Sequence, residues 1–122
     1  MITCKPTCLI VDAVTVMDGH NVGSILILDE NDRLVGIFTE RDLMHCFAKN
    51  ISIRDEKMAN VMTHNPITLD SNEDVSVALS IMSDKKIRHM PVMEDGKLAG
   101  VVSYRYIVSS ILPDVIFMDD IC

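Results

Sequence analysis

The chain has 122 residues and a formal net charge of −7, and 48% of its residues are apolar. That length suits one compact domain or two small halves that share a core. Such an acidic chain is a poor nucleic-acid binder, because that affinity depends on Lys and Arg neutralising phosphates. No apolar run approaches the roughly 18 residues of a membrane span, and no secretory signal pattern opens the sequence, so we expect a cytoplasmic protein that is not in a membrane.

Cysteines and histidines are the residues that would hold a transition metal. Cys4 and Cys8 form a C-x-x-x-C pair, but the four histidines are scattered and complete no ligand set at metal-binding spacing. We therefore expect no metal site, and free thiols in a reducing compartment.

The sequence contains an internal duplication that covers almost the whole chain. Residues 2–17 align with 67–82, which places Ala13 on Ala78, and residues 22–43 align with 87–107, which places Gly36 on Gly100. The first copy is one residue longer in an acidic turn, DENDR against EDGK. Surface turns tolerate such a length change, so the two copies are expected to share one fold.

The elements of the first copy follow from its apolar periodicity. One face of a predicted helix carries Ile10, Ala13, Val14 and Met17, at the i, i+3, i+4, i+7 spacing. Two short β-branched runs, SILIL at 24–28 and RLVGIF at 33–38, predict strands, and a second helix is expected at 40–50. Residues 51–62 join the copies and are expected to carry a short helix.

The second copy predicts the same β-α-β-β-α order. A short strand is expected at 67–69. Ser71 is expected to cap the helix that follows it, with Asp74 completing a capping box. The apolar face of this helix is expected to carry Val75, Ala78, Leu79 and Met82. Strands at 89–93 and 97–103 follow, and a last helix at 104–112 is expected to end before Pro113.

Two stretches repeat one pattern, GIFTERDL at 36–43 and GVVSYRYI at 100–107. Thr39 and Asp42 are spaced as a capping box. The same helix start offers backbone N–H groups to a phosphate, and a nearby acid can accept the hydroxyls of a ribose. Both interpretations are open for the first stretch, whereas the second stretch has Tyr106 in place of the acid.

The order and spacing of three segments resemble the CBS domain in its tandem form, the Bateman module. These segments are VGSILILDENDRLVGIFTERDL at 22–43, VMTHNPIT at 61–68 and IRHMPVMEDGKLAGVVS at 87–103. The resemblance implies an α/β (α+β) fold in which two β-α-β-β-α CBS repeats pack through their sheets with pseudo-two-fold symmetry. Residues 1–56 would hold the first repeat and the linker, and residues 57–122 the second repeat.

The resemblance also implies two clefts between the repeats that bind adenosine-containing ligands such as AMP, ADP, ATP or S-adenosylmethionine. It favours ligand binding for the threonine and acid of the first stretch. The residues that it implies for the first cleft are Thr39, Asp42, Thr68, His89, Met90 and Pro91. Arg41 and Arg88 are further candidates for a phosphate contact, and the alternative that they are ordinary solvated surface arginines stays open. A purely structural role stays open for His89, as a core-edge histidine, and for Pro91, as an edge-strand residue.

The second cleft would use the matching positions of the other copy. These positions are Thr3, Ser24, Ile25, Ser103 and Tyr106. A phenol cannot accept a ribose diol in a bidentate way, and its bulk would occupy the ribose space. We therefore expect this cleft to bind an adenosine ligand weakly or not at all.

The resemblance implies a regulatory module that senses an adenosine ligand and needs no cofactor. The alternative is a dimerisation or effector-docking module without a ligand. No P-loop, H-E-x-x-H or G-x-S-x-G motif is present, so an enzyme is not expected. The expected partners are the ligand, a regulated protein and a second copy of the chain. We expect a homodimer, because little of the chain remains to cover the apolar residues of its C-terminal part, namely Val108, Ile111, Leu112, Ile116 and Phe117.

Overall fold

The computed structural model describes residues 1–111, which form two structural repeats. The first repeat contains, in chain order, β1 (Thr3–Cys4), α1 (Ile10–Gly19), β2 (Ser24–Leu28), β3 (Leu34–Thr39) and α2 (Glu40–Ala48). A 3₁₀ turn (Met58–Asn60) and β4 (Thr63–His64) lie between the repeats. The second repeat contains β5 (Leu69–Asp70), α3 (Val75–Lys85), β6 (His89–Glu94), β7 (Lys97–Ser103) and α4 (Tyr104–Ile111).

The strands form two small sheets in the order β1-β2-β3-β4 and β5-β6-β7. In each sheet the first strand of the repeat is parallel to the second, and the second is antiparallel to the third. β4 is antiparallel to β3, with Gly36 opposite His64 and Ile37 opposite Thr63. The α/β (α+β) class and the duplicated β-α-β-β-α order are therefore confirmed.

The two repeats match in local geometry as well as in element order. Asn21 follows α1 with φ at 55°, and Lys86 follows α3 with φ at 56°, so each long helix is followed by a left-handed residue. The antiparallel strand pairs share an irregularity, which falls after Ile27 in one repeat and after Val92 in the other. The duplication seen in the sequence is thus a duplication of backbone conformation.

Each repeat buries its own apolar cluster. The first cluster contains Ile10, Ala13, Met17, Ile25, Ile27, Phe38, Cys46, Met58 and Met62, and the second contains Leu69, Ala78, Met82, Met90 and Ile107. The predicted core face of α1 is confirmed, with Val14 packing at the edge of the cluster. Met58 and Met62, which the sequence assigns to the second repeat, pack into the core of the first.

Three local predictions are wrong. α3 begins at Val75 with Asp74 as its N-cap, and the Asp74 carboxylate accepts a hydrogen bond from the N–H of Ser76 at 2.9 Å. Ser71 is not the cap, because its own N–H donates to the Met93 carbonyl at 2.8 Å and holds it beside β6. Val75 is 51% exposed and does not belong to the buried face.

The helix predicted in the linker is reduced to the 3₁₀ turn at Met58–Asn60, and β4 was not predicted. The predicted strand at 67–69 is observed as Leu69–Asp70. Pro113, the predicted end of the last helix, lies outside the described residues.

Candidate ligand-binding site

Two clefts lie between the repeats. We call the larger one, of about 800 Å³, the Asp42 cleft; it is lined by Thr39, Arg41 and Asp42 from the first repeat and by Ile67, Lys86 and His89 from the second. The Tyr106 cleft, of about 460 Å³, is lined by residues that include Asn21, Ser24, Ser103, Arg105 and Tyr106. Each cleft thus combines a helix start from one repeat with the left-handed residue and following strand of the other.

The start of α2 places Thr39 and Asp42 on the Asp42 cleft. One carboxylate oxygen, Oδ2, accepts hydrogen bonds from the Thr39 N–H at 2.8 Å and from the Thr39 hydroxyl at 3.1 Å, and the Asp42 N–H donates back to that hydroxyl at 3.4 Å. The capping box is therefore present. The other oxygen, Oδ1, makes no hydrogen bond within residues 1–111 and remains able to accept one from a ligand. Asp42 can therefore cap α2 through Oδ2 and accept a hydrogen bond from a ligand through Oδ1 at the same time.

Cationic side chains from both repeats form part of the wall of this cleft. The guanidinium of Arg41 donates a hydrogen bond to the Lys86 carbonyl at 3.2 Å and so joins α2 to the second repeat. Lys86 and Arg88 line the cleft beside it. Three cations and the N-terminus of α2 therefore surround one space, although the chain as a whole is acidic.

The structure brings together only part of the predicted set for this cleft. Thr39, Arg41, Asp42 and His89 line it, as does Arg88. Thr68 does not line it, and neither do Met90 and Pro91, whose side chains are fully buried in β6. His89, next to Met90 on β6, does line the cleft, because adjacent strand residues face opposite sides of a sheet.

Several lining residues of the Asp42 cleft were missed from the sequence. They are Ile37, Glu40, Met44, Thr63, Asn65, Pro66, Ile67, Lys86 and Ile87. Asn65 and Lys86 have φ at 47° and 56°, and Asn is a residue type that adopts this left-handed region readily. The residue type of Asn65 therefore indicated a left-handed turn from the sequence, whereas Lys86 gave no such indication.

The Tyr106 cleft repeats this geometry without the carboxylate. The hydroxyl oxygen of Ser103 accepts a hydrogen bond from the Tyr106 N–H at 3.1 Å, as Thr39 does in α2. Tyr106 lines the cleft and is 72% exposed. The expectation that its bulk occupies the ribose space stays a prediction. Ser24 lines the cleft, whereas Thr3 and Ile25 do not.

Glu40, Arg88 and His89 line both clefts and form the wall that the clefts share. A Cβ placed on Gly23 would lie 2.8 Å from Glu40 Oε1 and 3.3 Å from His89 Cε1, so glycine is what allows these two side chains to approach the start of β2. Burial lowers the pKa of His89, and the nearby Arg88 lowers it further, while Glu40 opposes the shift. His89 is therefore held neutral in the folded protein at neutral pH.

Because the pKa of His89 is lowered in the folded chain, a fall in pH lowers the free energy of unfolding. The unfolded chain binds a proton at its histidine as the pH falls through about 6.5, and the folded chain does so only at lower pH. We expect wild type to lose more stability between pH 7.5 and 5.5 than His89→Gln, by at most about 1.4 kcal/mol per pH unit. Urea unfolding at the two pH values measures this, and equal losses in both proteins would contradict it.

Within residues 1–111, no three His, Cys, Asp or Glu side chains are grouped closely enough to hold a metal ion. Over the same residues, every helix is too short or too polar to span a bilayer. Cys4, Cys8 and Cys46 are free thiols. Burial and the neighbouring Cys8 raise the pKa of Cys4 to about 12, so that thiol stays protonated at neutral pH.

Comparison with known proteins identifies the fold. The family model described as CBS domain matches residues 1–49 and 58–113. An uncharacterized 17.7 kDa protein of Acidianus ambivalens is 37% identical over 109 residues, which cover 88% of this chain and 65% of that protein. The chain spans between 55% and 65% of the length of four curated relatives that it matches.

Two solved structures also carry ligands. The CBS domain pair of protein MJ0100, in complex with 5-methylthioadenosine and S-adenosyl-L-methionine, is 29% identical with a TM-score of 0.84, over 93% of this chain and 90% of that one. The CBS domain protein PAE2072 of Pyrobaculum aerophilum, complexed with AMP, is 25% identical with a TM-score of 0.80, over 92% and 91%. Two successive family matches on two equivalent structural repeats show that the chain belongs to the CBS domain family and carries the domain as a tandem pair.

Proposed function

We propose that the chain is a regulatory module that binds an adenosine-containing ligand in the Asp42 cleft. One observation carries this proposal: the start of α2, the free oxygen of Asp42 and the cations Arg41 and Lys86 face the same space between the repeats. The ligands named for the MJ0100 and PAE2072 structures support the ligand class, which includes AMP and S-adenosylmethionine. The ligand acts here as a regulator and not as a catalytic cofactor.

The cleft offers a separate contact for each part of such a ligand. Ile37, Ile67 and Ile87 supply apolar surface for a flat base. Oδ1 of Asp42 accepts a ribose hydroxyl, and charged acceptors form the stronger hydrogen bonds. The N-terminus of α2 and the cationic wall favour a phosphate group. A ligand held this way contacts both repeats, so its affinity depends on the position of one repeat relative to the other. Binding therefore favours one arrangement of the repeats, and this is the physical basis of a regulatory response.

A thermal-shift series with AMP, ADP, ATP and S-adenosylmethionine tests this function. A ligand present at about 100 times its Kd stabilises the native state by about 2.7 kcal/mol, which raises the Tm of a domain of this size by roughly 8–12 °C. We expect at least one of the four to do so. If none raises the Tm and calorimetry detects no binding heat, the alternative of a docking or dimerisation module without a ligand replaces the proposal.

We also propose that the chain forms a homodimer, which presents the module to a regulated protein. Met44 and Phe47 on α2 are 61% and 63% exposed, and Ile111 on α4 is 53% exposed. Val108 is half-buried on the Tyr106 cleft, and the other apolar residues predicted at the interface, Leu112, Ile116 and Phe117, lie outside the described residues.

Exposed apolar side chains of this size are typical of interfaces. Light scattering at tens of micromolar should give twice the chain mass of 13.6 kDa. Phe47→Glu should shift the protein towards monomer, and Val77→Glu on α3 should not. A wild-type mass of 13.6 kDa would rule out the dimer.

A further inference from the structure

The connection between β1 and α1 carries two cysteines on either side of a tight turn. Cys4 ends β1, and Cys8 is the fourth residue of a turn in which its own N–H donates to the Lys5 carbonyl at 3.0 Å. Pro6 is the second residue of this turn, a position that its fixed φ favours. A β-turn holds the Cα atoms of its first and fourth residues within about 7 Å, so the chain folds back and brings Cys8 close to the end of β1.

The second repeat has the same turn without cysteines. The Glu73 N–H donates to the Asp70 carbonyl at 3.0 Å, at the same place in that repeat. In the alignment of the two copies, Leu69 and Glu73 occupy the positions of Cys4 and Cys8. The fold therefore forms this turn without a thiol, and the cysteines of the first repeat are not needed to build it.

The two thiols interact at the edge of the first core. Both side chains are partly buried and pack against the same apolar cluster. Burial raises the pKa of Cys4 to about 12, and the charge of an ionised Cys8 and a hydrogen bond between the two thiols add to this rise. The sulfur atoms of Cys4 and Cys8 are thus neighbours in space as well as in sequence.

The surroundings of the two thiols give them different roles in thiol–disulfide exchange. The thiolate is the nucleophile in this chemistry, and Cys4 stays protonated at neutral pH, so the first attack on an oxidant falls to Cys8. Once the Cys8 sulfur is part of a mixed disulfide it carries no charge, and one cause of the raised pKa of Cys4 is removed. Cys4 then has the place of the resolving thiol.

We propose that Cys4 and Cys8 form a reversible intramolecular disulfide when the protein meets a small disulfide oxidant, which makes this turn a redox modification site. The Cys8 thiolate attacks one sulfur of the oxidant, forms a mixed disulfide and releases one thiolate. The Cys4 sulfur loses its proton, attacks the Cys8 sulfur and expels the second thiolate. The two cysteines lose two protons and two electrons, and the oxidant is reduced to two thiols. The site does not depend on whether the Asp42 cleft binds a ligand.

The same turn holds the linker between the repeats. The Cys8 carbonyl accepts a hydrogen bond from the Met58 N–H at 2.7 Å, and the Pro6 carbonyl accepts one from the Ala59 N–H at 2.9 Å. A bridge between Cys4 and Cys8 constrains the backbone that carries both acceptors, so its formation changes the surroundings of these two N–H groups. The linker continues into β4, which begins at Thr63 on the Asp42 cleft.

Mass spectrometry of the full chain after treatment with glutathione disulfide tests the bridge. Trypsin does not cleave between Lys5 and Pro6, so Cys4 and Cys8 stay together in the peptide of residues 1–33, which contains no other cysteine. After oxidation, alkylation and digestion, we expect this peptide to be lighter than its reduced, unalkylated form by the mass of two hydrogen atoms. It should take up an alkylating agent only after dithiothreitol is added.

Variants and unfolding show whether the fold places the two thiols. Cys8→Ser should abolish the bridge, whereas Cys46→Ala and Cys122→Ser, whose cysteines fall in other tryptic peptides, should leave it unchanged. In a glutathione redox buffer, the folded chain should form the bridge at a ratio of oxidised to reduced glutathione at least tenfold lower than the chain unfolded in urea. Equal ratios would overturn the proposal, because sequence spacing alone would then account for the reaction.

Amide chemical shifts of the isotope-labelled chain test the effect on the linker. Oxidation should shift the signals of Met58 and Ala59, and should leave unchanged the signal of Ser71, whose N–H donates to a carbonyl of the second repeat. Unchanged signals at Met58 and Ala59 would overturn the link between the bridge and the linker. Glutathione retained on Cys8, or a disulfide to Cys46, to Cys122 or to a second chain, would overturn the modification site itself.

Discussion

Gly36→Ala will destabilise the protein by about 1–3 kcal/mol, whereas Gly100→Ala, at the equivalent position of the other repeat, will be neutral or stabilise it by up to about 1 kcal/mol. A Cβ on Gly36 would lie 2.5 Å from Met62 Sδ and 2.9 Å from Met62 Cγ. Met62 is buried in the first core, so it has little room to withdraw. A Cβ on Gly100 would have no atom within 4 Å, and alanine restricts the unfolded chain more than glycine does.

Gly36→Ala should also change the shape of the Asp42 cleft. Gly36 stands opposite His64 in the β3–β4 pair, and Thr63 and Asn65 on either side of that residue line the cleft. Displacing Met62 therefore moves the segment that forms one wall. We expect Gly36→Ala to weaken adenosine-ligand binding as well as stability, and Gly100→Ala to leave the Asp42 cleft unaffected.

Urea unfolding of the two variants measures this difference, and a double-mutant cycle identifies its cause. In a Met62→Ala background the space beside Gly36 is open, so Gly36→Ala should cost less than about 0.5 kcal/mol there, well below its cost in wild type. Equal effects of Gly36→Ala and Gly100→Ala would show that the packing around Met62 does not distinguish the two glycines.

Most of the fold was predictable because the same sequence pattern occurs in both repeats. The strands SILIL and KLAGVVS were placed at their observed bounds, since β-branched runs between turns have few alternatives. β4 was missed because a strand of two residues is too short to show alternation. The start of α3 was misplaced because Ser71 and Asp74 fit a capping box in the sequence. In the structure the Ser71 N–H donates to the Met93 carbonyl, and α3 begins at Val75.

The candidate site was only partly predictable, for a different reason. Thr39 and Asp42 belong to a local motif, so the sequence reveals them. Lys86 and Asn65 reach the cleft from left-handed turns, and their contribution depends on how the repeats meet, which no local pattern encodes. Met90 was predicted at the site but is buried, because a residue next to a cleft residue on a strand faces the other way.

Asp42→Ala will weaken binding of the adenosine ligand at least tenfold while lowering the free energy of unfolding by only about 1 kcal/mol. The binding loss follows from Oδ1, which makes no hydrogen bond within residues 1–111 and can accept from the ribose; a hydrogen bond to a charged group contributes about 1.5–3 kcal/mol, or tenfold and more in affinity. The stability loss follows from Oδ2, which caps α2 through Thr39.

Asp74, the N-cap of α3, provides a control that separates the loss of binding from the loss of stability. Asp74→Ala removes the carboxylate that caps α3, at a similar cost in stability, but Asp74 does not line either cleft. Its ligand affinity should therefore equal that of wild type. Calorimetry should find close to one tight adenosine site per chain in wild type and in Asp74→Ala, and none in Asp42→Ala. Two equal sites per chain, or wild-type affinity in Asp42→Ala, would mean that the ribose is not recognised by this carboxylate.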